Sequence, residues 1–310
     1  MNESEIIKDV QDNEKIDLKE LFHVLWNKKI HIVSSILLIT SITALVSLYL
    51  PNIYRAQALI APVSSSGSAL SDVANRFSGL AGLAGVSLPG SDGGDKNLLA
   101  KEVIKSLNFF KKFDEKYNIL PDLMAVEKYD PLSKEVSYNN DFYKDGIWVR
   151  EVSLPKTSKP SAQEAHKVFM TMMRIETNQD TGFISISIDH QSPIIAKQWV
   201  DWLIFEINLS IKNDDVSTAE RSIEYLYEQI GATNLSELQT GFSELIKQQT
   251  EIIMLANANS EYLFKTIDPA VIPELKIKPE RSIIVLFSLL ISALLSTMIV
   301  LLHHFFTRKI

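Results

Sequence analysis

Two runs without a single Asp, Glu, Lys or Arg, Ile30–Leu50 and Ser282–Leu302, constrain this chain more than any other feature; each is 21 residues long. About 20 apolar residues cross roughly 30 Å of hydrocarbon, so both predict membrane-spanning helices, and no third run qualifies. A cleavable signal sequence is the competing reading of the first run, because Ala56-Gln57-Ala58 has the small-x-small form of a cleavage site. However, 29 residues precede the run, and it is longer than a secretory apolar core. The first run therefore reads as a retained helix.

Charge sets the expected orientation. Lys28 and Lys29 abut the first span, whereas only Arg55 lies close behind it. The excess of positive charge places the N-terminus in the cytoplasm. A second span returns Arg308 and Lys309 to the same side. Lys276, Lys278 and Arg281 precede that span on the opposite side. They oppose the rule, but the first helix usually dominates it. Residues 51–281, enclosed by the spans, carry 24 Lys and Arg against 31 Asp and Glu. An acidic domain is a poor partner for nucleic acid, which requires clustered basic residues. With no cysteine in the chain, disulfide frameworks, thiolate metal sites and thiol nucleophiles are excluded.

Local patterns fill in the rest. Asp17 to Trp26 predicts a short amphipathic helix running toward the first span, capped by Asp17, with Trp26 at the interface. Ile53 to Ala61 reads as a strand stopped by Pro62. Seven of the 11 glycines fall between Gly67 and Gly94, but no Gly-Lys pair exists, so this is a loop and not a phosphate cradle. Residues 95–120 are predicted helical. Phe183 to Asp189 alternates strictly and predicts a half-buried strand. Ser192-Pro193 supplies a cap and a first-turn proline, and no breaker follows until Gly231. A second helix, capped by Asn234 with Glu237 as its box partner, is expected to reach about Ile267. Both ends of the outer domain must return to one membrane face, so these helices predict a projecting hairpin over about residues 193–267. Pro269, Pro273 and Pro279 then forbid helix and favour an extended path into the second span. Within that span, Ser288, Ser292 and Ser296 recur every fourth residue, the spacing that lets membrane helices approach closely.

Chemistry is sparse by comparison. The six histidines form no HExxH or other metal pair, and Gly90-Ser91-Asp92-Gly93 fails the nucleophile-elbow pattern. Asp114-Glu115 and Asp214-Asp215 are neighbours that do not face each other on a helix, so they read as solvated acids. No catalytic, cofactor-binding or metal-binding residue is expected. The sequence therefore predicts a non-enzymatic α+β membrane protein. Its order is an N-terminal segment 1–29, a helix 30–50, a domain 51–281, a helix 282–302 and a tail 303–310.

This arrangement resembles the Wzz-type chain-length determinants, or polysaccharide co-polymerases, of bacterial O-antigen synthesis. The resemblance rests on Ile16-Asp17-Leu18 with Leu25-Trp26 before the first span and Ile53-Tyr54-Arg55-Ala56 after it. It rests also on Ser192-Pro193, Ala196 and Trp199-Val200 at the start of the long helix. Phe264 to Pro273, with Lys278-Pro279, completes it. The resemblance implies an inner-membrane protein whose periplasmic α+β base carries an extended hairpin, assembled as a homo-oligomeric ring. It implies control of how many repeat units a Wzy-type polymerase adds to a nascent lipid-linked polysaccharide. It supplies no catalytic residue. Two other readings are a co-polymerase for another exported surface polysaccharide and a membrane-anchored periplasmic sensor. Relatives exporting other polysaccharides carry or pair with a cytoplasmic kinase domain, for which residues 303–310 are too few; a sensor needs an output domain, for which residues 1–29 and 303–310 together offer little. A glycan hydrolase would need two converging carboxylates.

Overall fold

The structure, a computed structural model, describes residues 18–63, 93–233 and 235–308. The glycine-rich segment up to Ser91-Asp92, the expected caps Asp17 and Asn234, and Lys309 lie outside these residues. The chain divides into a terminal unit, formed by residues up to Asn52 and from Ile277 onward, and a central unit, Ile53–Lys276.

In the terminal unit, α1 (Leu18–Asn27) leads into α2 (Lys29–Tyr49), and α9 (Arg281–Arg308) closes the chain. The Lys28 N–H donates to the Val24 carbonyl and the Lys28 carbonyl accepts from Ile32 N–H, both at 3.1 Å, so the helical ladder continues across the turn. Both α2 and α9 are long and apolar enough to cross a membrane. At 1.5 Å per residue, α2 spans about 31 Å. It ends where Leu50 becomes extended, because the proline at 51 disfavours helix in the residue before it. The two helices pack against each other. Much of their exposed surface is leucine, isoleucine, valine and phenylalanine.

The central unit is built on an antiparallel sheet in the order β6 (Met173–Thr177), β7 (Ile184–His190), β1 (Ile53–Pro62), β8 (Phe264–Asp268). The register sets Ala56, Ala58 and Ile60 of β1 beside Ile188, Ile186 and Ile184 of β7. All six are buried. Helix α7 (Pro193–Ala232) lies across β1 and β7. It contributes Ala196, Trp199, Val200, Leu203, Ile204, Ile207 and Ile211 to the core. The two alanines of β1 let this helix sit close to the sheet. The expected half-buried character of β7 is not found. Ser187, Asp189 and His190 are buried as well, because alternation reports one apolar face and says nothing about what covers the other.

Helices α3 (Gly93–Lys105), α4 (Leu107–Tyr117), α5 (Leu120–Met124) and α6 (Ala162–Met172) flank the sheet. Phe109, Phe110 and Phe113 of α4 and Phe169 of α6 join Trp199 in one aromatic core. Two small hairpins, β2–β3 (Val126–Asp130, Glu135–Tyr138) and β4–β5 (Tyr143–Lys144, Ile147–Trp148), fill the stretch between α5 and α6.

The long hairpin is present, with one correction. Ser192 caps α7 by accepting the Ile195 N–H at 3.4 Å, and Pro193 takes the first turn. The 40 residues of α7 give it a length of about 60 Å. Its partner α8 runs only from Ser236 to Ala258, not to Ile267, so the helical hairpin stops short of the expected 193–267 span. Phe264 to Asp268 becomes a strand because Phe264, Thr266 and Ile267 suit a pleated surface. Pairing with β1 also buries the Phe264 ring. Along α8, Phe242, Leu245 and Ile252 are half-buried and Ala256 is fully buried, whereas Leu235 and Leu238 stay exposed.

Candidate functional site

Arg55, Asp189 and His190 in the central unit are each engaged in structural partnerships. Arg55, in the Ile53–Ala56 motif, forms a two-pronged pair with Asp189 on the facing strand, at 2.6 and 3.0 Å. Arg174 of β6 joins it at 3.3 Å. His190 is enclosed at the end of β7. Ser192 N–H donates to its Nδ1 at 2.9 Å, so its Nε2 carries the proton that meets the Asp122 carbonyl at 2.9 Å. Burial pushes its pKa down from the ordinary histidine value, and the imidazole stays neutral. Among the described residues, no group of three or more His, Cys, Asp or Glu could hold a metal ion.

The two acid pairs differ from the solvated reading. Asp114 accepts the Leu120 N–H at 3.0 Å, and desolvation raises its pKa; Glu115 is exposed. Asp214 is exposed, but Asp215 accepts from Tyr262 Oη at 2.7 Å and pairs with Lys96 at 2.9 Å. Burial and that carboxylate push the Tyr262 hydroxyl upward. Neither pair brings two carboxylates together over a cleft.

Asp215 belongs to a larger arrangement at the root of the hairpin. Asn208 lies seven residues earlier on α7, on the same side of the helix. Its Oδ1 accepts the N–H groups of Leu263 and Phe264, both at 2.8 Å. Its Nδ2 donates to the carbonyls of Phe264 and Ile204, both at 3.1 Å. Every donor and acceptor of the amide is used. The need arises from sheet geometry. Val63 N–H donates to the Leu263 carbonyl at 2.8 Å, so Phe264, the next residue, turns its own N–H and C=O away from β1. Strand β8 is the last on the sheet path. The Asn208 amide thus occupies the place of a missing neighbouring strand. Nothing in the sequence pattern singled it out except its polarity within the apolar stripe Trp199–Ile211.

In the terminal unit, Ser292 is 1% exposed and Ser296 is 7% exposed, while Ser288 is half-buried. Ser288 and Ser292 donate to carbonyls of their own helix, Val285 and Leu289. Ser296 Oγ lies 2.8 Å from Ser35 Oγ of the first span. Ser35 itself donates to the Ile32 carbonyl at 2.9 Å, so Ser296 is the donor between the helices. Arg281, which opposed the charge rule, has a local use. Its Nε donates to the Ser47 carbonyl at 3.1 Å and its guanidinium reaches Asn52 Oδ1 at 3.2 Å. The last carbonyls of α2 have no helical partner and form the negative end of its dipole, so a cation there is favoured. Lys28 and Lys29 are exposed at the other end of α2. Pro269 is exposed and Pro273 and Pro279 are half-buried in the stretch between β8 and α9, which contains no helix.

Residues 14–116, covering the first span, β1, α3 and most of α4, match the family described as Wzz, chain length determinant protein. This match covers about a third of the chain. No curated protein matches the chain in sequence. A full-length bacterial polysaccharide co-polymerase is similar at 12% identity and a TM-score of 0.41, covering 95% of this chain and 99% of that one. A fragment of WzzB, a polysaccharide co-polymerase from Salmonella Typhimurium, is similar at 12% identity and a TM-score of 0.30, covering 73% of this chain and 100% of that one. The Wzz match includes Tyr54, Arg55 and Ala56, which bind the first strand to β7.

Proposed function

We propose that this chain regulates polysaccharide chain length, setting the number of O-antigen repeat units that a Wzy-type polymerase adds during lipopolysaccharide synthesis. The Wzz match over residues 14–116 carries the reading. In this reading α2 and α9 anchor the chain in the bacterial inner membrane, with both termini cytoplasmic and the acidic central unit in the periplasm. The protein acts as a homo-oligomer, contacts the polymerase and the growing lipid-linked glycan, and performs no bond-making itself. The Ser288, Ser292 and Ser296 face holds the two spans together, Lys28 and Lys29 fix orientation, and the prolines 269, 273 and 279 keep the link to the second span extended.

Deleting the protein and displaying lipopolysaccharide on a gel tests this directly. The expected result is a polymer with its preferred length lost. An unchanged ladder, or complete loss of polymer that a polymerase gene cannot restore, would overturn the regulator reading. Reporter fusions at Ser137 and at the C-terminus should give opposite compartment signals.

A further inference from the structure

The start of the first span carries a feature that membrane crossing alone does not require. Phe22 and Trp26 stack on α1 with ring centroids 6.0 Å apart. Both rings are more than half exposed. The Lys29 ammonium sits over the Trp26 ring, 4.3 Å from its centroid. Directly beyond it, Lys29, Ile30, Val33, Ser34 and Leu37 line an open cleft of about 420 Å³. Ile30, Val33 and Leu37 are each more than half exposed. Their spacing of three and four residues places them in one line along α2. The cleft thus has a fixed cation at one end, a hydroxyl about 7 Å further along the helix at Ser34, and an apolar track beyond.

We propose that this cleft binds one anionic glycerophospholipid, its phosphate on Lys29 beside Trp26, its ester region at Ser34, and an acyl chain along Ile30, Val33 and Leu37. The order of charge, hydroxyl and hydrocarbon matches that of the lipid itself. The cation is held in place by an aromatic face, and aromatic rings favour the headgroup level of a bilayer. An apolar segment of a partner protein would find no use for a lysine at the head of the track. The inference requires only that α2 crosses a bilayer; it does not depend on the glycan reading or on which leaflet Lys29 meets.

Quenching of tryptophan fluorescence by brominated lipids tests it. The full-length protein is reconstituted into phosphatidylcholine vesicles containing equal small fractions of either dibromo-phosphatidylglycerol or dibromo-phosphatidylcholine. The Trp26→Phe variant supplies the background from Trp148, Trp199 and Trp202. The anionic lipid should quench Trp26 with an apparent preference of about fivefold, the ratio expected for one interfacial lysine near an anionic headgroup. Lys29→Gln should abolish that preference and Lys28→Gln should leave most of it. Equal quenching by the two lipids in the unmodified protein overturns the proposal. So does equal loss in both lysine variants, which would mark diffuse surface charge. Absence of quenching by either lipid would show that protein, from a second copy or a partner, covers the face.

Discussion

Replacing Asn208 by leucine keeps the side-chain volume close to the original and removes four hydrogen bonds at the hairpin root. The Ile204 carbonyl keeps its helical partner. The N–H groups of Leu263 and Phe264 and the Phe264 carbonyl lose theirs in an interior site. Each unsatisfied buried group costs about 1–3 kcal/mol. Three of them, partly relieved by local opening toward water, give an expected loss of about 3–5 kcal/mol. That is comparable with much of the stability of an ordinary domain. Urea unfolding of the full-length protein in detergent, followed by tryptophan fluorescence, measures it. Hydrogen exchange at residues 262–266 locates it. Asn208→Asp gives a second reading. Its carboxylate still accepts from both N–H groups but opposes the Phe264 carbonyl, whereas the protonated acid regains a donor, so its deficit should shrink as pH falls. A loss below about 1 kcal/mol in Asn208→Leu, with residues 263 and 264 still protected from exchange, would refute the edge-cap account.

Four further outcomes follow from the geometry. Ser292→Leu places a branched side chain where the serine is fully buried between spans. It should weaken crosslinking between engineered cysteines on α2 and α9, whereas unchanged crosslinking would leave the serine stripe incidental. Glu164 is held by Arg150 through contacts of 2.7 and 2.8 Å, and that partner lowers its pKa from 4.5 to about 2. The contribution is therefore complete above pH 4.5 and lost as pH falls toward 2. Arg150→Ala should flatten this part of the stability–pH curve. Gly241 lies within α8 with open space where a Cβ would sit. Gly241→Ala should stabilise the hairpin by up to about 1 kcal/mol, read as a higher urea midpoint. Glu237→Lys, in the first turn of α8, should shift the modal length in the lipopolysaccharide ladder at unchanged protein abundance. A wild-type ladder would remove this part of the hairpin from length control.

Readable features were those whose cause is local. Absence of charge over 21 residues defines a span wherever it occurs, and Ser192-Pro193 starts a helix by capping and a fixed φ alone. The return strand was hidden because Phe264 to Asp268 continues a helical-looking stretch. Only its pairing with Ile60 to Pro62, some 200 residues earlier, decides in favour of strand. Arg281 looked like a misplaced charge because its partner, the Ser47 carbonyl, is a backbone group at the end of another helix. Asp215 looked solvated because Lys96 and Tyr262 approach from distant segments. Asn208 illustrates the same limit, since its partners lie 55 and 56 residues away and are main-chain atoms with no sequence signature. The serine stripe gave a face, but the acceptor it meets, Ser35, sits 261 residues earlier.

The distribution of buried residues along α7 has a consequence for its motion. Nine of its ten buried residues lie between Pro193 and Ile211, and only Ala219 lies beyond; α8 buries Ala256 alone. Local opening free energy follows buried contact, so amide protection should decline steadily from the root of the hairpin toward Gly231. The far arms would then open and close many times for each unfolding of the base. Any surface that settles on them slows that breathing, and the exchange rate at the tip becomes a direct gauge of contact made there.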